Sequence, residues 1–341
     1  MFNKKFISLG VESTAHTFGV AIVDEAGLIL SNKKNMFTTK DGEGGLIPSQ
    51  LSEHHYAVAL AVLNEAIDES KISMNEIDLI SFSQGPGIGN ALRVGAIFAR
   101  QLSLIHKKEL IGVNHCLAHM EIGRKLTNSI DPVLLYASGA NTQIICYEND
   151  YYRVFGETLD TGIGNFLDSF GRNIGMGFPA GPKLSEIYYK GKEFIELPYT
   201  VKGQDLAFSG LLTSATRKYQ EINKNGFNEQ KSADLIYSTM HTAFAMLTEV
   251  TERALAHTNK KEVLLGGGVG CSKPLQEMLL KMCESRGAKL FVPPNQVMVD
   301  NAAMIAYTGI LMKQNGYKTS INQSGILPKQ RIDDIKINWM K

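Results

Sequence analysis

The stretches "LGVESTAHTFGVAIVDEAGLIL" (residues 9–30) and "LYASGANTQIICYENDYYRVF" (residues 135–155) decide the fold, because they share an architecture while sharing little identity. Each opens as an apolar strand, passes through a turn of small residues, returns as a second strand, and ends in a polar hairpin and a further strand. In the first copy that hairpin falls at Glu25-Ala26-Gly27. Two such units in separate halves of one chain indicate a duplicated supersecondary block rather than a short tandem repeat. Around them, "IDLISFSQGPGIG" (77–89), "ELIGV" (109–113) and "EVLLGGGVG" (262–270) read as buried strands. Residues 51–69, 90–106, 162–177, 232–257 and 273–287 place apolar side chains at helical spacing. "FVPPNQVMVDNAAMIAYTGILMK" (291–313) reads as a short strand, a loop and a helix capped by the Asp300 carboxylate. Strands alternating with helices predict an α/β fold with helices packed on largely parallel sheets.

A length of 341 residues, 44% of them apolar, suits two domains or one bilobal enzyme. The formal charge of +1 gives no global field for nucleic acid. The basic clusters Lys33-Lys34, Lys107-Lys108, Arg124-Lys125 and Arg217-Lys218 read as solvated surface. Four cysteines without a C-x-x-C pair exclude a zinc ribbon and favour free thiols in a reducing compartment. The start "MFNKKFISLGVES" has too short an apolar run for a signal peptide or membrane span, so a cytoplasmic protein with no membrane partner is expected.

Three glycine-rich turns follow strands: "SLGVESTAHTFG" (8–19), "YASGANTQ" (136–143) and "LLGGGVG" (264–270). Turns lacking bulky side chains let backbone N–H groups approach phosphate oxygens. Three of them at matching places in two lobes suggest a nucleotide held in a cleft between the lobes. Neither the P-loop nor the G-x-G-x-x-G pattern occurs at a strand-to-helix junction. In "GVNHCLAHMEIGR" (112–124), a helix starting near Asn114 would put His115 and His119 on one face. That spacing suits two ligands of one ion. It equally suits structural histidines, and spacing alone leaves both open. Cys116, Leu117 and Ala118 stand where a zinc protease would carry its glutamate, and no nucleophile elbow occurs. His54 and His55, adjacent on a helix, should face different directions and be structural or at most cleft-lining; His16, in the first glycine-rich turn, could approach phosphate, and His241 stands alone.

"GVNHCLAHMEIGR", "YASGANTQ", "VFGETLDTGIGNFLDSFGR" (154–172), "PAGPKLSE" (179–186), "DLAFSGLLTSA" (205–215) and "VDNAAMIAYTG" (299–309) occur in one order and spacing. Together they resemble the archaeal and eukaryotic tRNA threonylcarbamoyladenosine synthases, the catalytic subunits of the KEOPS complex. The likeness runs from residue 6 to about residue 315, and the tail "LPKQRIDDIKINW" (327–339) is similar as well.

The resemblance implies an actin/Hsp70/sugar-kinase-like fold of two duplicated RNase H-like lobes with a nucleotide cleft between them. The expected boundaries are 1–127 completed by 298–325 for the first lobe, 128–297 for the second, and 326–341 for a C-terminal tail. The implied reaction moves a threonylcarbamoyl group from threonylcarbamoyl-AMP to the exocyclic amine of the adenosine 3′ of the anticodon in tRNAs reading ANN codons. It also implies one iron or zinc ion per subunit, held by His115, His119, Tyr136 and Asp300, and an adenine nucleotide, threonylcarbamoyl-AMP or ATP. Tyr136, Ala137, Ser138, Gly139 and Ala140 would surround the acyl-phosphate, with Asp168 and Gly181 on the ribose and adenine side. Ser185 and Ser272 stand where relatives usually carry a carboxylate and an asparagine, so these substrate contacts depart from the pattern. Ala140 and Ala180 replace glycines, a mild change unless the backbone needs positive φ. Glu12, in the first glycine-rich turn, is the candidate catalytic group for orienting the attacking amine or taking its proton. Implied partners are tRNA, a kinase-like ATPase, a small dimerising subunit and an accessory tRNA-binding subunit. Two competing functions are an ATPase or sugar kinase of the same fold and a scaffold that retains the cleft without turnover.

Overall fold

Two five-stranded sheets carry the structure, and both have the same order. The computed structural model describes residues 5–38 and 47–340. The first sheet contains β1 (Ile7–Glu12), β2 (Thr17–Asp24), β3 (Ile29–Met36), β4 (Leu79–Gly85) and β5 (Glu109–Asn114), in the order β3-β2-β1-β4-β5. Its helices are α1 (Pro48–Ser70), α2 (Gly89–His106) and α3 (His115–Thr127). The second sheet begins with β6 (Val133–Ala137), β7 (Thr142–Glu148) and β8 (Tyr151–Glu157). Next come α4 (Ile163–Asn173), α5 (Gly181–Tyr188), a small hairpin of β9 (Val201–Lys202) and β10 (Asp205–Leu206), α6 (Ser209–Ile222) and α7 (Glu229–Thr258). β11 (Glu262–Gly266), α8 (Lys273–Ser285) and β12 (Lys289–Phe291) complete an order of β12-β11-β6-β7-β8. A short α9 (Asn295–Met298) precedes α10 (Ala302–Gln314).

The duplication is therefore real at the level of topology: β1, β2, β3, β4 and β5 correspond to β6, β7, β8, β11 and β12. The sheets are mixed, contrary to the expectation of largely parallel ones. β1 pairs antiparallel with β2 and β2 with β3, whereas β1–β4 and β4–β5 are parallel. The reason is local, because the turns linking the first three strands of each block are too short for a crossover. Asn149 and Asp150 in the β7–β8 hairpin both have positive φ (51° and 65°), as a two-residue type I′ turn requires.

The chain divides into two compact units. One comprises the described residues up to Leu126, Asn149–Tyr152 and the residues from Val299 onward; the other comprises Thr127–Glu148 and Arg153–Met298. Each has its own apolar core: Leu9, Val11, Phe18, Ile80 and Phe82 anchor the first, and Val133, Leu135, Phe166, Phe244 and Leu265 the second. No described helix is long and apolar enough to cross a membrane.

Gly10, at the middle of β1, lets α10 lie directly on the strand: a Cβ there would fall 2.3 Å from the Ala302 carbonyl oxygen and 2.6 Å from the Ala306 nitrogen. The start of α10 is thereby brought beside the end of β1. The cap of α10 is Asn301 rather than Asp300. The buried Asn301 side chain accepts from the Met304 N–H at 3.0 Å, which leaves the Asp300 carboxylate out of the capping geometry.

Gly10→Ala should destabilise the fold by about 1–3 kcal/mol or more through backbone overlap. Gly210→Ala, on α6 with nothing within 4 Å, should be neutral or slightly stabilising. Chemical denaturation of the two variants checks the contrast.

Candidate metal centre

α3 starts where β5 ends, because the Asn114 side-chain oxygen accepts the Leu117 N–H at 3.1 Å and caps the helix. Residues His115 to Gly123 of this helix are all buried. Its far end is tied down by Glu121, itself buried, which accepts from Tyr152 Oη at 2.7 Å and Trp339 Nε1 at 2.9 Å and pairs with Arg124 at 2.8 Å. The helix axis is thus fixed at both ends, and its first two turns bring His115 and His119 toward one point. Their ring centroids lie 4.8 Å apart.

Asp300 reaches the same point from the loop before α10. Its Oδ1 lies 3.2 Å from His115 Nε2 and 3.5 Å from His119 Nε2. One ligand atom from each of these three residues falls within 4.8 Å of the others, and they form the only such group of histidine, cysteine and acidic side chains among the described residues. Glu12, at the end of β1 and fully buried, closes the back of the site. Its Oε2 lies 3.1 Å from His115 Nδ1, and its Oε1 accepts the Thr14 N–H at 2.7 Å and the Thr14 hydroxyl. Thr14 Oγ1 also lies 3.2 Å from His115 Nδ1.

This arrangement fits a metal ion. With His115 Nδ1–H held by a carboxylate, the Nε2 lone pair is presented toward His119 and Asp300, the usual support for a ligating imidazole. Two imidazoles and a carboxylate suit iron or zinc. A divalent ion would also balance the formal charge of the buried Glu12 and partly buried Asp300 carboxylates while both imidazoles stay neutral. Without an ion a proton does part of that work: burial opposes the charge on His115, but Glu12 and then Asp300 outweigh it and push its pKa up to about 10. Burial raises the Asp300 carboxyl, yet His115 and His119 hold it well below the usual carboxylate range. Burial lowers the His119 pKa. Burial, with a contribution from Asp300, pushes the neighbouring Cys116 thiol up to about 12, and Cys116 is not part of the three-residue group.

The second unit contains the other expected residues. Tyr136 and Ala137 end β6, with Tyr136 opposite Gln143 and Gly266 in the sheet. Ser138 to Ala140 form the following loop, where the Ser138 N–H donates to the Asn141 carbonyl at 2.9 Å. α4 begins against this loop: Gly164 N donates to Ser138 O at 3.0 Å and Asn165 N to Gly139 O at 2.9 Å. A Cβ on Gly162 or Gly164 would fall within 2.7 Å of the loop backbone. Asp168 Oδ1 accepts the Ala180 N–H at 2.8 Å, so part of this carboxylate holds the start of α5. Gly181, the first residue of α5, faces open space. Ser185 and Ser272 form a 3.2 Å hydroxyl contact with each other. Ala180 has φ of −84°, and Ala140 is not among the residues with positive φ, so neither alanine strains the backbone.

The structure thus groups His115, His119, Asp300 and Glu12 in one unit and Tyr136 to Ala140, Asp168, Gly181, Ser185 and Ser272 in the other. Thr14 was missed, although a threonine two residues beyond a turn carboxylate is a recognisable signal for such a bond. Glu121 and Trp339, 218 positions apart, carry no local signal. His54 and His55 also depart from expectation. Their Nδ1 atoms lie 3.2 Å apart, because side-chain rotation overcomes the angle between adjacent helix positions.

Two sheets of the same order, each with its own helices and core, give the duplicated α/β fold of the actin/Hsp70/sugar-kinase-like class, and one unit brings two imidazoles and a carboxylate together. The fold is similar to the crystal structure of T. kodakarensis HypF (TM-score 0.62, 16% identity), across 91% of this chain and 48% of that one. Residues 28–307 match the model of the tRNA N6-adenosine threonylcarbamoyltransferase (TsaD) family, and the chain belongs to that family. It is 50% identical to the tRNA N6-adenosine threonylcarbamoyltransferase of Thermococcus sibiricus, across 98% of this chain and 100% of that one. It is 49% identical to the probable bifunctional tRNA threonylcarbamoyladenosine biosynthesis protein of Methanocaldococcus jannaschii, across 98% of this chain and 61% of the longer one.

Because an arriving ion must displace the proton on His115, metal binding should release about one proton. Its apparent affinity should rise close to tenfold per pH unit from about pH 6 to 9 and flatten above about 10. Calorimetric titration in buffers of different ionisation enthalpy measures the proton count.

Proposed function

We propose that the protein transfers the threonylcarbamoyl group from threonylcarbamoyl-AMP to the exocyclic N6 amine of the adenosine 3′ of the anticodon in ANN-reading tRNAs. The observation that carries the chemistry is the convergence of His115, His119 and Asp300, backed by Glu12. Family membership over residues 28–307 favours transfer to tRNA over a stand-alone ATPase or sugar kinase, neither of which needs this group.

The donor is a mixed carbamic–phosphoric anhydride. The N6 lone pair attacks its carbamoyl carbon, the bond from that carbon to the phosphate oxygen breaks, AMP departs, and the amine loses a proton. AMP is already a competent leaving group, so the protein's task is positioning and polarisation. His115, His119 and Asp300 would hold iron or zinc, with Tyr136 as a further ligand. Bound there, such an ion supplies Lewis-acid polarisation worth several kcal/mol. Glu12, whose oxygens are taken by Thr14 and His115, would keep His115 in the Nδ1–H tautomer and so act by positioning that imidazole rather than by meeting the amine, the role first expected of it. Ala137 to Ala140 would receive the acyl-phosphate, with backbone N–H groups as donors. Asp168 and Gly181 would meet the ribose and adenine. Ser185 and Ser272, already in contact, would reach the nucleotide through hydroxyls or bridging water.

tRNA is the proposed macromolecular partner. The name of the longer M. jannaschii relative, bifunctional, supports a second protein acting with this chain, and a kinase-like ATPase suits that role. A small dimerising subunit and an accessory tRNA-binding subunit complete the proposed assembly, which would work in the cytoplasm.

Supplied with threonylcarbamoyl-AMP, an ANN-decoding tRNA transcript and the partner subunits, the protein should form the modified nucleoside. His115→Ala and Asp300→Ala should lose metal and reduce transfer by about 10²–10³-fold, matching several kcal/mol of transition-state stabilisation. Tyr136→Phe leaves the three-residue group in place and reads the phenol's share alone. Unchanged transfer by a metal-free His115→Ala variant, or ATP turnover indifferent to tRNA, would overturn the assignment.

A further inference from the structure

Helix α1 carries a second pair of imidazoles that the reaction does not use. His55 is fully buried, with the Phe18 ring edge-on to it at 5.6 Å, and its Nε2 lies 2.9 Å from the Ala15 carbonyl oxygen. Its Nδ1 faces His54 Nδ1 at 3.2 Å, while His54 Nε2 lies 2.8 Å from the Asn35 carboxamide oxygen on β3. The Phe37 ring flanks His54 at 5.5 Å.

These contacts impose a direction. A carbonyl oxygen only accepts, so His55 Nε2 carries the hydrogen. A neutral His55 then has a bare Nδ1 that can only accept. His54 must donate from its own Nδ1, and its Nε2 is left to accept. The direction is therefore carried by the His54–His55–Ala15 links alone and not by the Asn35 contact. Burial supports the neutral state, since it pushes the His55 pKa down to about 4 and lowers that of His54.

The far end of this chain is the turn behind the metal centre. Ser13 N–H donates to Ser83 Oγ at 3.0 Å, and the Thr14 carbonyl accepts the Ile88 N–H at 2.8 Å. The Ala15 carbonyl is held by His55. Three successive residues are thus pinned from three different elements, and the middle one, Thr14, orients Glu12, which orients His115.

We propose that His54 and His55 are positioning residues: a one-way hydrogen-bond relay, His54 to His55 to the Ala15 carbonyl, that fixes the Thr14 turn and through Glu12 sets the His115 ligand. Its link to turnover rests on the transfer reading above; its tautomers and its link to metal retention do not.

Imidazole 15N spectra of the full chain, assigned with His54→Gln and His55→Gln, should show His54 as the Nδ1–H tautomer and His55 as the Nε2–H tautomer. Finding both as Nε2–H would overturn the relay. His54→Phe removes the donor into His55 and should weaken zinc retention against a chelator about tenfold, as loss of an outer ligand support does. It should lower kcat for transfer to a similar degree with the KM for tRNA unchanged, and His54→Gln, whose amide can donate, should recover most of both. Wild-type zinc retention in a folded His54→Phe protein would overturn the proposal. Should His54→Phe fail to fold, the wild-type tautomers and the zinc retention of His54→Gln decide. Absence of transfer by the wild-type protein would instead refute the proposed reaction, while the spectra and chelation still decide the relay.

Discussion

Two imidazoles and the Glu12 carboxylate brought out of water, with a partly buried Asp300 beside them, are the constraint on which the first unit is built. Uncompensated charge there would cost several kcal/mol per group, so each must be met by a proton, a hydrogen bond or an ion. Glu12 is met by Thr14 and His115, and Asp300 by both imidazoles. Holding these groups a few ångströms apart requires rigid backbones. Gly10 provides one by letting α10 touch β1, and the capping side chains of Asn114 and Asn301 set where α3 and α10 begin. Glu121, Tyr152 and Trp339 fix the other end of α3. The chemistry and the packing are one problem in this region, because a shift of either helix start would separate the donors.

The second unit solves a different problem with the same topology. Its first strand ends in a loop rather than a cluster of charges, and the glycines of α4 and of the turn after β11 allow backbone to lie on backbone around that loop. Gly267, with φ of 86°, could accept a Cβ neither conformationally nor spatially, since the Ala137 carbonyl oxygen would stand 2.3 Å away. Duplicated sheets of identical order thus carry a cluster of acidic and imidazole side chains in one copy and a loop packed backbone against backbone in the other.

Much of this was legible because it is written in local periodicity. The paired strand-turn-strand blocks and the i, i+4 histidines depend on residues close in sequence, and the structure keeps both. Asp300 was expected to cap α10, but Asn301 is the cap, and only tertiary packing decides which of two adjacent polar side chains turns toward His115 and His119. The short turns between the first three strands of each block already implied antiparallel pairing there, and only the expectation of largely parallel sheets overall gave them too little weight. Helix α6 and the small β9–β10 hairpin lie in a polar stretch whose pattern is too weak to announce them. The His54–His55 contact and the Glu121–Trp339 bond were invisible, the first because it depends on rotamers and the second because it joins positions 218 apart.

The most direct measurement is an anomalous difference map from crystals of the protein grown with iron or zinc. The account predicts one strong peak about 2.0–2.2 Å from the Nε2 atoms of His115 and His119 and from an Asp300 oxygen, with His115 Nδ1 still on Glu12. An ion bound through Nδ1, or a peak elsewhere with these three side chains bonded only to one another, would contradict it.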